Sequence, residues 1–270
     1  MAAARVLDPL RRNNVSISGD PDGQIMLFAH GFGCSQAAWE LVAPHFERDY
    51  RVVLFDHVGS GDSDVAAYDR GKYDSLDGYA DDVLEILHAL DAHEVVFVGH
   101  SVSAMIGVLA ANREPSRFSD LILIGPSPRY INDESYRGGF EATDIAGLLD
   151  TLDANYLGWS AATAPIIMGN DDRPELGARL TASFCSLDPE IARHFAHVTF
   201  LSDNRRDLSQ VSVPTLVMQA GHDAIAPEDV GRYVHSAIPA SELVLLETTG
   251  HVPILSGPDE VVAAMRAFLS

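Results

Sequence analysis

The stretch VFVGHSVSAMIGVLAA, Val96 to Ala111, runs from an apolar block through Gly99, His100 and Ser101 and back into small and apolar residues. Its first half reads as a strand buried on both faces and its second as a buried helix, with a serine at the junction. A serine there can cap the helix, or it can be a nucleophile raised on a strained strand-to-helix turn. The pattern Gly-x-Ser-x-small, completed here by Ser103 where a glycine is usual, does not by itself choose between the two.

Working outward, short apolar or β-branched runs recur at NVSIS (Asn14 to Ser18), IMLFAH (Ile25 to His30), RVVLFD (Arg51 to Asp56), EVVFVG (Glu94 to Gly99), DLILIG (Asp120 to Gly125), PTLVMQA (Pro214 to Ala220) and ELVLLE (Glu242 to Glu247). Most are apolar throughout, as strands covered on both faces of a parallel sheet are. Helical patterns separate them. In SLDGYADDVLEILHALD the residues Leu76, Tyr79, Ala80, Val83, Leu87 and Leu90 recur at three- and four-residue steps, with Ser75 placed to cap. The alternation predicts an α/β fold with a mostly parallel central sheet flanked by helices. It breaks between about Tyr130 and Arg206, where only helical patterns occur. Residues 130–206 are therefore expected to form a helical insertion, with residues 1–129 and 207–270 as the core. The insertion's aromatics Trp159, Phe184, Phe195 and Phe200 are core candidates, and Trp159 and Phe195, together with Phe32, are expected to line a substrate cavity beneath it.

Composition narrows the function classes. The chain has 270 residues, a net charge of -21 and Lys72 as its one lysine, so nucleic acid and anionic membrane are excluded as partners by repulsion over the whole surface. A small apolar ligand fits better. The start of the chain, MAAARVLDPLRRNNVSIS, has no apolar stretch of the length a leader needs, and no transmembrane run occurs. A cytoplasmic setting with Cys34 and Cys185 as free thiols is expected. GSGDSD (Gly59 to Asp64) lacks the lysine and helix of a phosphate loop, GNDDRPE lacks the closing glutamate of a calcium loop, and neither H-E-x-x-H nor C-x-x-C is present. No metal and no cofactor is expected.

An acyl-transfer serine needs a base within reach and an acid that orients the base. On this architecture both follow the serine in the chain, each just past a strand. PTLVMQA is followed by GHDAIAP, which offers Asp223, and ELVLLE by TTGHVPIL, which offers His251. His222 is adjacent to Asp223 and too close to its own acid to reach the serine, so His251 is the expected base. Asp223 is the expected acid in preference to a cap for the helix near Pro227. After IMLFAH the turn GFGCSQAAW can aim the N–H of Phe32, with that of Val102, at a developing oxyanion. Cys34 has no pairing signal and is expected to be packing.

The runs HGFGCSQAAWELVAPHF, VVLFDHVGSGDSD, YDSLDGYADDVLEIL, VFVGHSVSAMIG, LILIGPSPRYIND, VPTLVMQAGHDAIAP and GHVPILSGPDEV together resemble α/β-hydrolases of the RsbQ type, bacterial stress-signalling regulators that are similar to the plant strigolactone and karrikin receptors. The resemblance covers nearly the whole chain. It implies the α/β-hydrolase fold with a four-helix lid over an apolar pocket, Ser101, Asp223 and His251 as triad, and Phe32 and Val102 as oxyanion donors. Ser103 is the form of the plant receptors, where the bacterial regulators carry glycine.

These features point to a cofactor-independent serine hydrolase of small apolar esters or lactones. A reading from a different class is a ligand-sensing regulator that hydrolyses slowly and recruits a signalling partner protein through its lid. Carbon–carbon bond hydrolysis of diketone-like substrates would use the same triad, whereas dehalogenation would want aspartate at position 101.

Overall fold

The computed structural model describes residues 8–270. The part of the leader reading that concerns residues 1–7 lies outside the described residues. All of the expected strand segments form strands: β1 (Ser16–Gly19), β2 (Gln24–Ala29), β3 (Tyr50–Leu54), β4 (Val95–His100), β5 (Phe118–Ile124), β6 (Thr215–His222) and β7 (Ser241–Thr249). They make one sheet in the order β1-β3-β2-β4-β5-β6-β7. β1 runs antiparallel to β3, and every other neighbouring pair is parallel. β4 is buried along its whole length, while β1 at one edge is exposed throughout and β7 at the other is half-exposed. That gradient is why the central strands read as unbroken apolar runs and the edge strands carry serine and glutamate.

The helices are α1 (Pro9–Arg12), α2 (Leu76–Ala89), α3 (Val102–Arg113), then α4 (Ala142–Ala154), α5 (Tyr156–Met168), α6 (Pro174–Cys185) and α7 (Pro189–Phe200), then α8 (Glu228–Ala237), α9 (Pro253–Ser256) and α10 (Pro258–Phe268). α2 buries Leu76, Tyr79, Ala80, Val83 and Leu87, the face its spacing predicts. Ser75 stands at its N-terminus but does not cap it, and its hydroxyl goes to the Asp77 carboxylate at 3.3 Å instead. α3 is buried from Val102 to Ala111 because it lies against the middle of the sheet. α4 to α7 fill the strand-free stretch between β5 and β6, where the β pairing consists of isolated bridges, Ile131 with Phe140 and Asp133 with Tyr136. Their ends are set locally: Glu141 and Asp144 form a reciprocal capping box for α4, and Asp188 accepts from the Glu190 and Ile191 amides ahead of Pro189 in α7. Among the described residues no helix is long and apolar enough to cross a membrane.

Candidate active site

Ser101 follows β4 directly and precedes the first residue of α3. Its backbone has φ 57° and ψ -123°, outside the regions comfortable for a side-chain-bearing residue. Such a conformation costs about 1–3 kcal/mol and persists where surrounding structure imposes it. Here the Ser101 N–H donates to the Ile124 carbonyl at 2.8 Å, which pins the turn to β5. The tight crossing needs Gly99: a Cβ there would stand 2.6 Å from the Ser103 carbonyl oxygen. The Ser101 side chain does not cap α3. It meets His251.

His251 Nε2 lies 2.7 Å from Ser101 Oγ, and its Nδ1 lies 2.7 Å from Asp223 Oδ2. All three residues are buried. Asp223 comes just after β6 and His251 two residues after β7, so the C-terminal ends of neighbouring strands bring them to one edge of the sheet. The other oxygen of Asp223 accepts from the amides of Ile225 and Ala226 at 2.8 and 3.0 Å, and Gln219 approaches Oδ2 at 3.3 Å. Burial alone would raise the Asp223 carboxyl, but the His251 charge and hydrogen bond together with those amides outweigh it and hold the group below the usual carboxylate range. An ionised Asp223 requires the proton of His251 on Nδ1, which leaves Nε2 free to accept from Ser101. The His222 side chain is exposed and lies outside this line, while its backbone carbonyl accepts from the Gly250 amide at 2.7 Å.

The sequence reading missed His100. Its Nε2–H donates to the His251 carbonyl at 2.7 Å and so fixes the loop that carries the base. Burial, helped by the neighbouring His251, lowers its pKa to about 3, which keeps it neutral. Its place next to the serine was the only sequence signal available.

The glycine-rich turn after β2 lies against the serine. A Cβ on Gly31 would meet His100 Nδ1 at 2.7 Å and Ser101 Cβ at 3.2 Å, so only glycine brings this backbone so close. The N–H groups of Phe32 and Val102 are not used in the fold's own hydrogen bonding among the described residues. Val102 follows Ser101 in the chain, and Phe32 follows Gly31, whose backbone lies against the Ser101 side chain.

Above Ser101 is a small cavity of about 30 Å³, lined on its apolar side by Phe32, Phe184, Phe200, Ile167 and Leu180 and bordered by Tyr130, Thr199 and His100. Trp159 and Phe195 do not line it, which corrects the sequence expectation for both. Trp159 stacks on Phe184 with ring planes 10° apart, and Phe195 meets Phe32 at 5.6 Å while stacking on Tyr79 at 4.4 Å, so each stands one row behind the lining. A buried aromatic on a helix reads the same from sequence whether it faces a void or another ring. Tyr130, also unforeseen, follows the C-terminal end of β5, and burial raises its phenol against the pull of Ser101 beside it. Cys34 does border the cavity, and burial pushes its thiol up to about 12, so it is no nucleophile. Both cysteines are free.

Residues 26–264 match the family model described as alpha/beta hydrolase family. The chain is 40% identical to the strigolactone esterase D14 of Arabidopsis thaliana over 270 residues, covering all of this chain and 99% of that protein. It is 37% identical to the karrikin insensitive 2 receptor CA of Petunia hybrida over 94% of each chain. A solved structure described as a hydrolase from Oleispira antarctica superposes with a TM-score of 0.94 at 40% identity, covering 97% of this chain and 96% of that one.

Proposed function

Since this chain belongs to the alpha/beta hydrolase family, we propose that it is a serine hydrolase of small apolar esters or lactones, with residues 130–206 acting as a lid over its pocket. The observation that carries the reading is the hydrogen-bonded line from Ser101 through His251 to Asp223, opening onto an apolar cavity. Ser101 Oγ attacks the carbonyl carbon while its proton passes to His251 Nε2. The oxyanion so formed is held by the amides of Phe32 and Val102. Collapse breaks the bond to the leaving oxygen, which takes the proton from His251 and departs, or in a lactone stays tethered to the acyl group. Water, giving a proton to His251 Nε2, then attacks the acyl carbon; as the bond to Ser101 Oγ breaks, His251 returns that proton to Oγ and the acid is released. Asp223 stabilises the imidazolium in both steps. Phe32, Phe184 and Phe200 supply the apolar surface for the acyl or ring portion.

A second reading, ligand-dependent signalling with slow hydrolysis and a partner protein docked on the lid, is favoured by the names of the relatives that match over almost their whole length. The finer likeness to the RsbQ type rests on the sequence runs alone. One experiment serves both readings: a panel of short acyl esters and butenolide lactones, with intact-protein mass spectrometry to catch a retained adduct. Fast release of product supports a metabolic esterase, a persistent adduct supports the sensor, and the absence of any Ser101-dependent product or adduct removes both.

A further inference from the structure

Beneath the oxyanion turn lies a set of polar groups that the steps above leave without a task. Ser103, the second residue of α3, His30 and His57 are all fully buried. Ser103 Oγ donates to the carbonyl of His30 at 2.5 Å. Its proton is thereby committed, so in the 2.7 Å contact with His57 Nε2 the imidazole must donate. His57 is then the Nε2–H tautomer, and its Nδ1 accordingly has no partner. The backbone N–H of His57 donates to Nε2 of His30 at 3.2 Å, which puts the His30 proton on Nδ1. That proton goes to the Gly31 carbonyl at 2.9 Å, where the Cys34 amide also donates at 3.2 Å. Burial lowers the pKa of both imidazoles, in keeping with one proton on each.

The consequence is geometric. The C=O and N–H of a trans peptide point in opposite directions, so a Gly31 carbonyl held by two donors fixes where the Phe32 N–H points. The other donor, Val102, belongs to a different element. Ser103 is its neighbour in α3, and His30 lies two residues before Phe32.

We propose that Ser103 and His57 are positioning residues of the oxyanion site: the Ser103 hydroxyl, held by His57, tethers the His30 carbonyl to the nucleophile's own helix and so keeps the Phe32 and Val102 amides at one spacing. The proposal rests on the hydrolytic reading above. A tether through two buried hydrogen bonds suits this task because groups without water nearby have no alternative partner.

The test compares kcat and KM for p-nitrophenyl acetate in Ser103→Ala, His57→Leu and His57→Gln, each first shown to be folded by circular dichroism. Misplacing an oxyanion donor acts on the transition state, so Ser103→Ala lowers kcat by about tenfold to a hundredfold and leaves KM within about threefold. His57→Leu does the same. His57→Gln recovers most of the loss, because its side-chain amide nitrogen donates from near the place of Nε2. The Ser103→Ala/His57→Leu double variant is no slower than either single one, since both cut the same tether. Wild-type kcat in Ser103→Ala, or a His57→Gln variant as slow as His57→Leu, overturns the proposal. A second measurement needs neither turnover nor stable variants: in wild-type protein with ¹⁵N-labelled histidine, His57 carries its proton on Nε2 at neutral pH. The other tautomer, or an imidazolium, overturns the tether whether or not the ester is hydrolysed, while loss of all Ser101-dependent turnover with the expected tautomer present overturns only the hydrolytic reading.

Discussion

His251 Nε2 stands 2.7 Å from Ser101 Oγ although 150 positions of chain separate the two. Each is the product of its own strand end, and the sheet order makes those ends converge. Removing the Ser101 hydroxyl takes away the nucleophile and leaves almost no void. Ser101→Ala is therefore expected to melt within a few degrees of wild type and to retain well under about 1% of ester turnover. Turnover above that level would mean that another group attacks the carbonyl.

Asp223 and His222 are adjacent and should behave oppositely. Asp223→Asn replaces a charge with an amide that favours the wrong imidazole tautomer, and kcat at neutral pH is expected to fall by about three to four orders of magnitude. His222→Ala alters an exposed side chain and should stay within about twofold of wild type. Steady-state kinetics on the pair decides it. A dead His222→Ala with an active Asp223→Asn would invert the assignment.

The cavity lining separates two kinds of aromatic. Phe184→Ala and Phe200→Ala widen the cavity and are expected to shift preference toward longer acyl chains, read as kcat/KM from acetate to octanoate esters. Trp159→Ala removes the ring stacked behind Phe184 and should appear first as a loss of stability, about 3–5 kcal/mol in a urea titration. If Trp159→Ala changes chain-length preference and leaves the urea midpoint alone, the side chain faces the ligand after all.

His30, His57 and His100 make the fold sensitive to acid. All have lowered pKa values in the folded protein, His100 to about 3 and His57 well below its ordinary value, chiefly because burial disfavours the charged ring. In the unfolded chain these rings take up protons below about pH 6.5. Between the folded values and that pH the unfolded state binds more protons, so stability is lost as pH falls through this window and regained as it rises. The urea midpoint should drop steeply from pH 6 toward pH 4, and less steeply in His57→Gln. A midpoint that stays level over this range would show that the rings are protonated in the fold.

Much of the candidate site was legible in the chain. Apolar runs and helical spacing are local properties, and they marked every strand and the helical insertion. Ser101, Asp223 and His251 could be named because each follows a strand and the chain order restricts the choice of partners. Phe32 and Val102 could be named because a glycine-rich turn and a helix start have free amides wherever they occur. Local pattern also misled: Ser75 precedes α2 as a cap should, yet its hydroxyl is drawn to Asp77.

Which rings face the cavity was decided only when α4 to α7 packed against the core, because a buried aromatic has the same helical spacing on either side of its helix. The same is true of Ser103 and His57, which are 46 positions apart and meet at 2.7 Å. Residue types and their order set the elements and the chemistry each could supply. Distances between groups on different elements depend on how those elements pack, and that was settled only by burying all of their apolar faces at once.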